Sequence, residues 1–286
     1  MCPSRAHSHS QDASVRLRYS YPAVAVGLLT CGQRLHLAKT LNRVFLDLLA
    51  LATVLFVLLV TLVAALATAY TGVDLSQPCS SSGFSCMKSN GVSFAVVRVY
   101  QSNGKVDPNG AATISAAWAG GMSHVDGYIF PCFSCGNPAG QMDAAINGLH
   151  SAGLKHVPRL HGQNDTVAIK PEELGTSYGM LWLDIEGTQY WGSDQAANVN
   201  FIQAMADEGK KKGVTLGVYT SQSQWTPITG NAKILGDLPL WYPHYQSPPQ
   251  PNYSDFVPFG AWSKPAIKQY EGSHTLCGCG IDSNYY

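Results

Sequence analysis

From Leu48 to Ala69 the chain holds no charged side chain, and the run LLALATVLFVLLVTLVAALATA is almost wholly Leu, Val and Ala. A stretch of roughly 20 apolar residues meets the length of a membrane-spanning helix and exceeds the ~7–15 residues usual for a signal-peptide core. It divides the sequence into a basic extension (1–43), a hydrophobic segment (44–69) and one folded domain (70–286). Two readings of the segment stand side by side. In one it is a secretory signal cleaved after Ala67-Thr68-Ala69, a small-residue site that leaves Tyr70 as the mature N-terminus. In the other it is an uncleaved type II anchor, with Arg34, Lys39 and Arg43 held on the cytoplasmic side. Both expect residues 70–286 in a secreted or lumenal compartment, touching a membrane only through 44–69 if the segment stays.

Residues 1–43 carry six of the 18 Lys and Arg but a single acid, Asp12, with no hydrophobic period. They read as a disordered extension. So long an n-region also suits a start placed upstream of the true initiator. Beyond residue 69 stand 12 basic and 16 acidic side chains, a mildly acidic domain with no basic patch. The cluster Lys210-Lys211-Lys212 ends a predicted helix, where cations complement the helix dipole, so no nucleic-acid partner is expected.

Six of the eight cysteines lie beyond the hydrophobic run: Cys79, Cys86, Cys132, Cys135, Cys277 and Cys279. An even number in an oxidising compartment argues for disulfides, and spacing alone does not choose among the 15 pairings. The sequons at Asn164 and Asn252 suit the same compartment. Cys132-Phe133-Ser134-Cys135 has the form of a thiol oxidoreductase motif, but structural pairing is the usual fate of such cysteines outside the cytosol.

Short apolar, β-branched runs alternate with segments of helical period, the pattern of βαβ units. Strands are predicted at Phe94–Val99, Asp126–Phe130, Leu181–Ile185, Leu216–Tyr219, Leu240–Tyr242 and Ala266–Gln269. Helices are predicted at Ala111–Ala119, Gln141–Ala152 and Gln195–Lys212, with Gly153 and Gly213 at the C-caps. The Pro-rich stretch Pro248–Pro258 reads as a surface loop. The fold class is therefore α/β, a single (β/α) barrel of the TIM type, in which chemistry gathers at the C-terminal strand ends.

There the segment LWLDIEG sets Asp184 and Glu186 two positions apart, and alternation points both to one face with Trp182, leaving Leu181, Leu183 and Ile185 for the outer helices. Carboxylates held this close do not ionise independently, so one is expected to keep a proton to give. Asp74 in GVDLS and Asp282 in GIDSNYY end the first and last apolar runs, which are neighbours in a barrel.

The ordered set GVDLS, FAVVRVYQSNG, GYIF, LWLDIEG, LGVYTSQSQW, LPLWYPHY, AIKQYEG and GIDSNYY, spanning nearly all of residues 71–286, resembles the glycoside hydrolase family 25 lysozymes, in their animal branch. The resemblance implies a distorted barrel, cleavage of peptidoglycan on the muramic acid side, Glu186 as general acid, Asp184 orienting or stabilising the substrate's acetamido group, and Asp74 and Asp282 as the other two acids. It also implies a groove lined by Tyr128, Tyr219, Trp241, Tyr245, Gln269 and Tyr270, a polysaccharide substrate, no cofactor, and a monomer. Departures are Arg98-Val99-Tyr100-Gln101-Ser102, where many members have Lys-Ala-Thr-Glu-Gly, and Lys268-Gln269-Tyr270, where Trp-Gln-Tyr is common. These put substrate preference in question more than the reaction. A sugar-binding module without catalysis and a chitinase-like glycosidase are the alternatives. The scattered histidines, among them His156 and His161, form no zinc-binding motif, so no metal is expected. The acidic surface suits work in an acidic digestive or lysosomal space.

Overall fold

A computed structural model describes residues 40, 42–53, 70–158 and 175–286, in two units, Met1–Ala67 and Thr68–Tyr286. In the first, residues 42–53 form a helix that already includes Asn42 and Arg43, ahead of the expected boundary at 44. Among the described residues no helix is long and apolar enough to cross a membrane. Most of the basic extension, the rest of the apolar run, the Ala67-Thr68-Ala69 site, His161 and the Asn164 sequon lie outside the described residues.

The second unit begins with β1 (Thr71–Leu75), α1 (Ser81–Ser89), β2 (Val92–Gln101), the short β3 (Lys105–Val106), α2 (Gly110–Ala119), β4 (His124–Ile129) and α3 (Pro138–Ser151). The two-residue strands β5 (Lys155–His156) and β6 (Ser177–Tyr178) pair separately. Then come β7 (Leu181–Asp184), α4 (Gln195–Lys211), β8 (Leu216–Tyr219), α5 (Gln222–Thr229), β9 (Leu240–Pro243), β10 (Ile267–Leu276) and β11 (Cys279–Tyr285). Strand order β1-β11-β10-β9-β8-β7-β4-β2 closes through parallel pairing of β1 with β2, giving an eight-stranded barrel. Its distortion has two sources. The β9–β10 connection carries no helix, and β11 runs antiparallel to both neighbours.

All six predicted strands are present, with ends shifted by up to two residues except at β10, which runs on to Leu276 as half of a hairpin. The caps obey their chemistry. Asp194 accepts from the N–H groups of Ala196 and Ala197 at the start of α4, and Gly153 and Gly213 adopt φ 84° and 73° just past α3 and α4. At the other end of α4, Lys210 pairs with Asp237, and Lys212 with Asp143, at 2.7 and 2.8 Å. The 248–258 loop is fastened from below: Lys268, fully buried, donates to both oxygens of Asp255 at 2.8 Å, and Asp255 also bonds His244 Nδ1.

Alternation along the strands sorts the core into two layers. Outward-facing Leu181, Leu183 and Ile185 join the large cluster beneath the helices, while Phe94, Val96, Met180, Trp182, Tyr219, Trp241 and Ile267 fill the barrel. Large rings require gaps opposite them. A Cβ at Gly217 would stand 2.3 Å from the Trp182 ring, and one at Gly72 would stand 2.2 Å from Phe94. Gly217→Ala is therefore expected to cost about 1–3 kcal/mol, read as a lower thermal unfolding midpoint. A shift within error would mean that the indole has room to move.

The six cysteines form three disulfides, Cys79–Cys279, Cys86–Cys277 and Cys132–Cys135. The first two fasten the tip of the β10–β11 hairpin to α1 and its approach, and the third closes the loop after β4.

Candidate active site

Pairing register builds the mouth of the barrel. Asp74 stands directly opposite Asp282 across β1 and β11, and Gln269 opposite Asn284 across β10 and β11. On the far wall Asp184 is level with Tyr219, and Tyr219 with Trp241. Tyr128 meets Trp241 edge-on at 6.2 Å, and Tyr219 meets the same indole at 4.6 Å.

One amide joins much of this ring. Gln269 Nε2 donates to Asp74 at 2.8 Å and to Asp282 at 3.2 Å, while its Oε1 accepts from the Tyr219 hydroxyl at 2.7 Å and from the Tyr245 hydroxyl. Asn284, buried and absent from the sequence expectations, donates to Asp74 at 2.7 Å and accepts from Trp241 Nε1 at 2.7 Å. Alternation two residues on from Asp282 sets Asn284 on the same strand face but gives no hint of these partners. Tyr270 differs. The pairing register breaks between Gln269 and Glu271, and no described hydrogen bond or ring contact joins Tyr270 to the acids.

Glu186 lies just past the end of β7, and its backbone is gripped on every side. Trp191 Nε1 donates to its carbonyl at 2.9 Å, Gln224 accepts from the next N–H at 2.9 Å, and Thr220 donates to the carbonyl of Ile185 at 2.7 Å. Gly187 takes φ 65°, a turn that suits glycine. The Glu186 carboxyl itself is half-buried and has no hydrogen-bond partner among the described residues. Asp184 is buried, and its Oδ1 also lacks a partner among those residues.

All four acids hold their protons more tightly than free carboxyls. Burial raises Asp74 to about 7, with Asp282 and Glu186 adding repulsion and Asn284 and Gln269 opposing. Burial, Glu186 and Asp74 push Asp184 well up, against the pull of Arg98, whose guanidinium is fixed by Asp107 and the Ser76 carbonyl. Glu186 is raised by burial and Asp282, and Asp282 by burial. In this cluster the folded chain binds protons that the unfolded chain releases. Its stabilisation is complete below about pH 4 and is lost as pH climbs through about 7. Thermal midpoints should fall between pH 5 and 8, and Asp74→Asn should flatten that slope. Asp143, Asp237 and Asp255, whose pKa values are lowered, weaken the fold only at more acidic pH. An unchanged slope in the variant would remove Asp74 as the source.

Among the described residues no three His, Cys, Asp or Glu side chains converge as a metal would need. A closed barrel with four coupled carboxyls and an aromatic wall at the C-terminal strand ends defines a glycoside hydrolase type of site.

Comparison with known proteins agrees. The family described as "Lysozyme-like protein 1" matches residues 65–161 and 158–270. The "Probable GH family 25 lysozyme 2" of Dictyostelium discoideum is 42% identical over 219 residues, 77% of this chain and 92% of that protein. "Lysozyme-like protein 5" of Caenorhabditis elegans is 35% identical over 234 residues, 80% of this chain and 97% of that protein. The solved GH25 lysozyme from Aspergillus fumigatus shares the fold with a TM-score of 0.57 at 21% identity, over 77% of this chain and 94% of that one. The chain belongs to the glycoside hydrolase family 25 lysozymes.

Proposed function

We propose that this chain is a lysozyme acting outside the cytosol as a monomer, hydrolysing the β-1,4 bond between N-acetylmuramic acid and N-acetylglucosamine in bacterial peptidoglycan. Glu186 is the general acid and Asp184 its partner. The observation that carries this reading is the contrast between the two. Both have raised affinity for protons, but Glu186 reaches the open mouth on a clamped backbone while Asp184 lies buried behind it.

Protonated Glu186 gives its proton to the glycosidic oxygen as the bond to the anomeric carbon breaks, so the leaving sugar departs as a neutral alcohol. Positive charge on the sugar faces the acidic mouth, and water completes the hydrolysis by adding its oxygen to the anomeric carbon while its proton returns to the Glu186 carboxylate. The unpartnered oxygen of Asp184 is suited to accept from the acetamido N–H, which turns that group toward the anomeric carbon. Gln269 holds Asp74 and Asp282 in place from below. The three disulfides support a secreted or lumenal setting, since such bonds persist in oxidising compartments.

The test is to digest bacterial peptidoglycan with residues 70–286 and identify the new reducing ends by mass spectrometry. Muramic acid ends are expected. Glucosamine ends would move the bond specificity elsewhere, and binding without cleavage from acidic to neutral pH would make the chain a sugar-binding module.

A further inference from the structure

Tyr190 is 43% exposed, although it stands only four residues beyond Glu186. It ends the one-turn helix Thr188–Tyr190, and that turn is anchored from behind. The next residue, Trp191, is 9% exposed, bonds the Glu186 carbonyl and packs on Phe133 and Phe201 at centroid distances of 5.9 and 6.1 Å. On the open side, the Tyr190 ring lies against the backbone beside Glu186, so close that a Cβ at Gly187 would come within 2.6 Å of it.

Phe130 continues the inward face of β4 two residues past Tyr128 and meets Tyr190 edge-on, with ring centroids 5.0 Å apart and planes at 74°. The two rings form a ledge on the β4–β7 side of Glu186. Tyr245, 52% exposed, stands on the β9–β10 side. Through Gly187 the ledge adjoins Glu186 in the chain, and its two rings carry no charge. Its rings offer flat apolar surface that matches the C–H face of a pyranose and leaves sugar hydroxyls in water.

We propose that Phe130 and Tyr190 form a stacking platform for a second sugar ring of the glycan, next in line to the ring held over the carboxylates. This rests on the reading of the chain as a glycan hydrolase and extends its groove beyond the aromatics that the family resemblance implies. Trp191 fixes the ledge in place, and Tyr190 displays it.

The test measures binding of a peptidoglycan tetrasaccharide by calorimetry, in protein carrying Glu186→Gln so that nothing turns over. Adding Tyr190→Ala should weaken binding about tenfold, equivalent to about 1.4 kcal/mol. Tyr190→Phe should stay within twofold, because the ring and not the hydroxyl makes the contact. Phe130→Ala should weaken binding in the same direction. Unchanged affinity in Tyr190→Ala, equal loss in Tyr190→Phe, or a loss accompanied by partial unfolding would overturn the platform. The two proposals fail separately. Cleavage with a Tyr190-independent affinity leaves the lysozyme reading standing, whereas Tyr190-dependent binding by a Glu186-intact protein that cleaves nothing leaves only the platform.

Discussion

Glu186→Gln should lower the rate of peptidoglycan cleavage by a factor of about 10²–10⁴ while leaving the fold intact or slightly more stable. The amide matches the carboxyl in shape but has no proton to give, which removes about 3–5 kcal/mol of transition-state stabilisation. Its effect on stability runs the other way. The Glu186 carboxyl has no hydrogen bond to lose among the described residues, and it repels Asp74 and Asp184 while being repelled by Asp282. A neutral side chain there relieves the cluster, so thermal midpoints near pH 7 should rise or hold as activity disappears. Steady-state kinetics and a melting curve on one preparation settle both halves. More than a tenth of wild-type activity in the variant would place the proton donor elsewhere. The raised proton affinity of Glu186 also sets the direction of the activity profile, which should decline as pH rises and the acid ionises.

The largest stability effect is expected far from that acid, at Asp126. This residue is fully buried in the barrel, where its carboxylate accepts from the Met180 N–H at 2.7 Å and from Trp182 Nε1 at 2.8 Å, with His124 Nε2 at 2.6 Å. Asp126→Ala takes an acceptor from all three at once. Leaving such groups buried costs about 3–5 kcal/mol, and a domain of this size loses roughly 2–4 °C of midpoint per kcal/mol. A fall of roughly 6–20 °C is therefore expected by calorimetry, and a change below about 2 °C would show that the donors find other partners. The loss should reach the site as well, because the Trp182 ring that Asp126 fixes packs edge-on against Trp241 at 5.8 Å.

Where a residue's role depends on neighbours close in sequence, the chain could be read directly. LWLDIEG shows a strand buried on both faces whose alternate positions turn acidic at its end, and Gly153 and Gly213 mark helix ends because few other residues adopt positive φ. What could not be read depends on partners far away. The pairing of β11 with β1 joins residues about 200 positions apart, so neither the hub at Gln269 nor the part of Asn284 could be derived from local pattern. Two helices were hidden by weak periodicity. In α1 only Gly83, Phe84 and Met87 are buried among polar neighbours, and α5 carries Pro227 inside it. The ledge of Phe130 and Tyr190 could not be read either, because it joins the residue after β4 to the one-turn helix after β7, and neither position stands out alone.

The disulfides that fix the hairpin to α1 also determine the fate of the chain once a protease has cut it. Cys79–Cys279 and Cys86–Cys277 enclose almost the whole barrel, including every loop from residue 87 to residue 276. A single nick in any of these loops, such as the 248–258 stretch, leaves two fragments that stay covalently joined. The fragment ends then face a local concentration set by the fold and not by dilution. Asp74, Glu186 and Asp282 come from segments that such a cut can separate in sequence but not in space, so the chain can be clipped and keep its mouth assembled.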